Sequence, residues 1–298
     1  AAWLLIGLLY REQGLHNAAS EAFTHVRFAK GPLQEWGAFH EAEQDLARGR
    51  AWVAVRECET YLATWPEGHH ASACKRVRAI GLARTGRYGA AREAATAYDQ
   101  EHPLATMSGQ VELAIAHRLR DKTPAAAIRL LRKLAVEHDA PLTGRKAEEL
   151  LAELHAEGHE DAVVPNDTSS LMVRAISLRE TRRKDEAWAA WQELERRASD
   201  DLRLARWLED NASAFGWRTH RWDFLADLYS QRYERSPNGE DAWNAHQVLF
   251  RGGRFAEAAA WVDRGLEQHG GTRWWRRSEE KVARAYMMAG QYDKATAQ

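Results

Sequence analysis

Histidine and cysteine are the side chains of this 298-residue chain best suited to hold a metal, and it has 13 of the first and 2 of the second. His155 and His159 stand four residues apart, which puts two imidazoles on one helix face and suits zinc. A helical zinc hydrolase needs a glutamate directly after the first histidine, and Ala156 stands there. Gly158 is expected to end the helix before His159 is reached. His69, His70 and Cys74 form a second cluster beside a helix start that follows Pro66, where exposed or capping roles are expected. Both groups read as imidazoles at turns, so no metal and no cofactor is assigned.

Nucleophilic and phosphate-binding patterns are absent from the sequence. There is no Gly-x-Ser-x-Gly elbow, no phosphate loop and no dinucleotide glycine pattern. No catalytic residue is assigned, and the chain reads as non-enzymatic. Arg273-Trp274-Trp275-Arg276-Arg277 is the one basic and aromatic run and could stack on bases. Glu279 and Glu280 follow at once, and the formal charge of the chain is −1, so no field recruits nucleic acid. The tryptophan pair reads instead as a wedge between helices. Asn166-Asp167-Thr168 fits a glycosylation sequon, which matters only in a secreted eukaryotic protein.

These residues must be positioned by helices. Only 7 prolines are present, and alanine, leucine, glutamate and arginine abound. Arginine outnumbers lysine heavily, as in proteins of GC-rich bacterial genomes. No apolar run approaches the roughly 20 residues needed to cross a bilayer, so membrane insertion is not expected. Ala1 falls almost inside the first helix and Gln298 within a repeat. The chain therefore reads as a piece of a longer protein, cytoplasmic by default and periplasmic if a leader was removed.

A turn signal recurs along the chain as Gly-x-aromatic-x-x-Ala. It is clean at Gly86-Arg87-Tyr88, Gly253-Arg254-Phe255 and Gly290-Gln291-Tyr292, with Ala91, Ala258 and Ala295 following, and looser at Gly14 and Gly49. Glycine ends the first helix of a pair in a left-handed cap, and alanine lets the second helix lie close. Ala19, Ala54, Ala91 and Ala127 are separated by 35, 37 and 36 residues. Pro66 and Pro103 close two of the second helices. The first stretch carries the fullest pattern, Trp3-x2-Ile6-Gly7-x2-Tyr10 followed by Ala19-x3-Phe23.

That stretch resembles the tetratricopeptide repeat, and the looser copies extend the resemblance over nearly the whole chain. It implies an all-α solenoid of about eight to nine antiparallel helix pairs, wound as a right-handed superhelix. Residues 1–157 read as N-terminal repeats, 158–168 as a break in register, and 169–298 as C-terminal repeats. Beside the break, residues 145–157 read as a first helix and Glu160–Val164 as a truncated partner. In the register of the repeat Cys58 takes a mid-sized apolar position, so a buried inert thiol is expected. Cys74 opens the next helix, and whether the two thiols meet is left open. Tryptophan is missing between Trp65 and Trp188, so the middle pairs are expected to be the softer ones.

The resemblance also implies that first helices line a concave groove that takes a peptide segment or a protein partner. Projecting the register puts Trp36, Phe39 and Glu43 there in the second pair, Arg76, Ile80 and Arg84 in the third, and Glu112 and Arg120 in the fourth. Trp207 and Asp210, then Trp243, Gln247 and Arg251, then Arg277, Glu280 and Arg284 follow. Family members that grip a C-terminal carboxylate use Lys and Asn one turn apart. The matching positions here hold Leu4 and Leu8, Phe39 and Glu43, or Arg76 and Ile80, so that clamp is missing. The reading is a protein-interaction scaffold or adaptor. The alternative is the helical-repeat part of a larger enzyme or of an envelope or polysaccharide assembly.

Overall fold

Alanine and leucine supply helix propensity throughout, and the glycine signals divide it into segments. The computed structural model describes every residue except 30, 104, 138–140, 276–278 and 298, and the side chain of Pro141. Among the described residues there are seventeen α-helices and no strand. They are α1 (Ala2–Glu12), α2 (His16–Phe28), α3 (Gln34–Ala47), α4 (Ala51–Thr64), α5 (Ala71–Arg84), α6 (Tyr88–Glu101), α7 (Met107–Leu119), α8 (Pro124–Glu137) and α9 (Pro141–Ala156). Then come α10 (Thr168–Glu180), α11 (Lys184–Arg197), α12 (Leu202–Thr219), α13 (Trp222–Arg235), α14 (Gly239–Arg251), α15 (Phe255–His269), α16 (Glu279–Met288) and α17 (Tyr292–Thr296). The chain divides into two compact units, residues 1–170 and 171–298. No helix of the described residues is long and apolar enough to cross a membrane.

The hinges share one geometry. Gly14, Gly49, Gly86, Gly158, Gly253 and Gly290 have φ between 70° and 99°, the left-handed region. The next residue donates its N–H to the carbonyl five positions back, as from Arg87 to Leu82 at 2.9 Å and from Arg254 to Leu249 at 2.9 Å. That bond closes the helix end, and at all of these but Gly158 the chain reverses into the second helix of a pair. Two hinges do this without glycine. Arg182 (φ 62°) and His220 (φ 59°) occupy the left-handed position, followed by the same bonds from Arg183 to Leu178 and from Arg221 to Gly216. The turn between α7 and α8 uses neither; Thr123 bonds back to Leu119 at 2.7 Å, and Pro124 opens α8, where its missing N–H costs nothing.

In the N-terminal unit each helix packs on the next, and first helices also meet: α1 with α3, α3 with α5, α5 with α7, α7 with α9. Small residues permit the crossings. Ala19, Ala54, Ala91 and Ala127 are all fully buried. A Cβ added to Gly37 would lie 2.4 Å from the Arg27 backbone nitrogen, so α3 can cross α2 only because that Cβ is absent. Phe23 fills the space over Gly7. The middle core joins Ala79, Leu82 and Ala95 to Met107, Val111 and Ile115, with Tyr98 its one buried aromatic. Cys58 and Cys74 are buried as free thiols in the cluster of α3, α4 and α5. The neighbouring Cys74 and burial together push the Cys58 thiol far up, which keeps it protonated and unreactive.

The C-terminal unit packs on aromatics. Trp191 is buried against Phe215, ring centroids 4.4 Å apart, and beside Trp207. Trp275 is buried edge-on against Trp243 at 5.0 Å and donates its indole N–H to the Gly239 carbonyl at 3.1 Å. The Trp274–Trp275 pair packs as a wedge would, Trp275 buried in the core shared by α14, α15 and α16 and Trp274 half-buried against it. Hinge arginines tie successive pairs: Arg221 reaches Asp185 at 2.5 Å, and Arg254 reaches Asp223 at 3.0 Å.

One local expectation is corrected. Glu160–Val164 forms no helix, because Pro165 leaves too few residues to close hydrogen-bonded turns. Ala162 instead tucks into the core of α8 and α9 through a turn bonded to His159. Trp3, one turn before the buried Gly7, stacks on His25 of α2 but is 49% exposed, while Leu5 and Leu9 on the far side of α1 are exposed without a covering neighbour among the described residues. Eight helix pairs and the single helix α9 result.

Candidate functional site

In the C-terminal unit, α14 and α16 are the first helices of successive pairs, and a cleft of about 280 Å³ opens on them. His246, Gln247, Phe250 and Arg251 line it from α14, and Lys281 and Arg284 from α16. All three cations rest on aromatic rings. The Arg251 guanidinium carbon is 5.1 Å from the Trp217 ring centre and 5.9 Å from that of Trp222. Lys281 Nζ is 5.6 Å from the Trp243 ring, and the Arg284 guanidinium carbon is 5.6 Å from Phe250. Such contacts hold a cation without neutralising it. No carboxylate among the described residues pairs with any of the three.

His246 adds no charge to this cleft. Burial pushes its imidazole down to about 4; a bond to the Ala258 carbonyl works against this, and the Lys281 ammonium adds to it. His246 Nδ1 lies 3.3 Å from that carbonyl, which can only accept, so the neutral ring carries its proton on Nδ1.

The N-terminal unit carries a wider cleft, about 740 Å³, on its first helices α5, α7 and α9. Ile80 and Arg84 come from α5, Gln110, Leu113, Ala114, His117 and Arg118 from α7, and Lys146, Glu149, Leu150 and Glu153 from α9, with Asp121 at the adjoining turn. Both charge signs are present. Arg84 Nη1 donates to the Leu46 carbonyl at 2.9 Å, at the end of α3, where a cation meets the negative end of the helix. Arg120 holds Glu153 at 2.6 Å.

The residues projected from the repeat register are distributed as follows. Gln247, Arg251 and Arg284 meet in the C-terminal cleft, and Arg84 lines the N-terminal one. Arg76 lines a separate pocket of about 270 Å³ with Tyr98, Thr106 and Gln110. Phe39 and Trp243 are core residues, 6% and 5% exposed. Trp36 is half-buried against the edge of His70, and Trp207 packs on Trp191. Glu43 turns to Arg11 and His40, both at 3.3 Å; burial opposes its charge, but these partners outweigh it and hold the carboxyl below its ordinary range. Glu112 is drawn out of the cleft by Arg92 on α6, which donates twice, at 2.6 and 2.9 Å. Asp210 and Glu280 are exposed outside both clefts, and Arg277 lies outside the described residues.

His246, Phe250 and Lys281 went unassigned by sequence. Lys281 was within reach, standing three residues before Arg284 on the same helix face. Among the described residues no three metal-binding side chains gather. His155 closes α9 and His159 lies beyond the left-handed Gly158. His70 stacks on Phe39 at 4.4 Å, while its backbone N–H donates to the Tyr61 hydroxyl at 3.0 Å.

No family model matches the sequence, and no curated protein does. Solved structures with some likeness include a chain in the structure of Naa15/Naa10 bound to HypK-THB, at 14% identity and a TM-score of 0.42. That alignment covers 99% of this chain and 46% of the other, so this chain spans about half its length. The apo form of RapI follows at 10% identity, covering 99% and 96%, with a TM-score of 0.33. The TPR2AB domain of yeast Sti1 in complex with pHSP90 aligns at 16% identity, covering 88% and 100%, with a TM-score of 0.27. Likenesses this loose carry no conclusion. The class of the protein, an all-α chain of stacked helix pairs with tetratricopeptide-like hinges, rests on its own hinges and buried alanines.

Proposed function

We propose that this chain is a non-catalytic binding scaffold whose first-helix clefts take a segment of another protein. One observation carries the reading: in each unit a cleft is lined jointly by neighbouring helices on the first-helix side, α5, α7 and the unpaired α9 in one and α14 and α16 in the other, whereas the depression on the second helix α11 is lined by that helix alone. Side chains on first helices thus present polar and aromatic groups to solvent, while the second helices seal the core behind them. Such a surface suits an extended or helical peptide, read by spaced side-chain contacts along successive helices.

Selection of peptides from a displayed random library, followed by hydrogen-exchange mapping of the bound chain, tests this. Enriched peptides that protect α5, α7 and α9 or α14 and α16 support the scaffold. No enrichment, or protection confined to second helices such as α8 and α15, contradicts it.

A further inference from the structure

We infer that the C-terminal cleft is a subsite for acidic side chains: Arg251, Lys281 and Arg284 hold Glu or Asp residues of an acidic partner segment, with an apolar neighbour of those residues against Phe250. The inference rests on the scaffold reading and names the chemistry of its ligand. Carboxylates are plentiful in this unit, and they are used elsewhere. Asp185 holds Arg221, Asp223 and Glu257 hold Arg254, and Asp263 holds Lys294. None of them turns to the three cations of the cleft, whose lining contains no acidic residue.

Each of these cations is exposed but leans on a ring, which restrains it. Binding a carboxylate therefore costs less ordering than it would at a free surface lysine. The guanidinium forks of Arg251 and Arg284 can each give two hydrogen bonds to one carboxylate. His246 is neutral and neither competes for the anion nor adds to its attraction. At about 280 Å³ the cleft has room for one or two side chains.

The test is fluorescence anisotropy of the full chain with two peptides of alternating acidic and apolar residues, both acetylated and amidated. One alternates Glu with Leu, and the other has Gln in place of each Glu. The Glu peptide is expected to bind at least about tenfold more tightly than the Gln peptide, and added salt should weaken it. Arg251→Glu with Arg284→Glu should abolish that preference, and Arg284→Gln alone should reduce it. Arg203→Glu with Arg206→Glu, the same charge change on exposed positions of α12, should leave it intact. Equal binding of the Glu and Gln peptides overturns the acidic assignment and leaves the scaffold reading, which the library selection judges separately. Binding of neither peptide by a chain with native helicity overturns it also. So does a phosphoserine peptide that outbinds the Glu peptide by more than about tenfold, since the site would then be one for phosphate.

Discussion

The cleft on α5, α7 and α9 and the cleft on α14 and α16 sit on equivalent helices of their pairs, yet their charges are settled differently. In the N-terminal cleft acids stand among the cations: Asp121, Glu149 and Glu153 line it beside Arg84, Arg118 and Lys146, Arg84 caps α3, and Arg120 holds Glu153. In the C-terminal unit the cations of the cleft lean on tryptophan and phenylalanine rings and keep their charge. The cores differ in parallel: aliphatic side chains dominate the middle of the first, and tryptophans packed on other rings anchor the second. An aromatic core stabilises its helices and also furnishes surface rings that brace cations without neutralising them. One pattern of helix pairs can thus present a mixed surface or a cationic one, according to what lies beneath.

The largest expected effect tests the aromatic core. Trp191→Ala should destabilise the C-terminal unit by about 3–5 kcal/mol in denaturant melts. A smaller loss than that of Leu131→Ala in the N-terminal unit would break the contrast between the cores.

Next in size is a pH effect confined to the N-terminal unit. Burial, with repulsion from Glu41 and Asp45, raises the Glu57 carboxyl to about 7, against the attraction of Arg27. An unfolded chain loses that proton near the ordinary 4.5, so between the two values the folded chain holds more protons. Stability should therefore fall as pH rises from about 4.5 to about 7, by at most about 3 kcal/mol from this group. Melts of Glu57→Gln across that window should lack this component; an unchanged slope would show that Glu57 titrates normally.

Overpacking a crossing comes third. Ala91 is fully buried, and Ala91→Leu should cost about 1–3 kcal/mol, read as a lowered midpoint for the N-terminal unit alone. Smallest is the non-glycine hinge. Arg182→Gly removes a left-handed arginine and should stabilise the C-terminal unit by about 0.5–1 kcal/mol, whereas Gly86→Ala should do the reverse in the N-terminal one. A loss on Arg182→Gly would mean that the arginine's own contacts outweigh its backbone strain.

The glycine hinges and buried alanines were legible in the sequence because each is forced by geometry: a left-handed cap or a close crossing admits few alternatives. The hinges at Arg182 and His220 were not, because the backbone bonds that close those helix ends hold both residues in a conformation their types do not advertise. Of the positions the register projected, Gln247, Arg251 and Arg284 line the C-terminal cleft. The same register misplaced Glu112, because Arg92 offers it a two-pronged partner on the opposite side. It also assigned Phe39 and Trp243 to the groove; rings of that size, set on a first helix beside small neighbours, fold inward to fill the core. His246 and Phe250 carried no signal, since their part in the cleft depends on where α16 packs.

Photo-crosslinking tests most directly whether partners are bound on first helices. A benzoylphenylalanine placed at Gln247 on α14 is predicted to capture a library-selected peptide, and one at the exposed Glu267 on α15 is predicted to capture none. Capture from position 267, with none from position 247, would contradict the account.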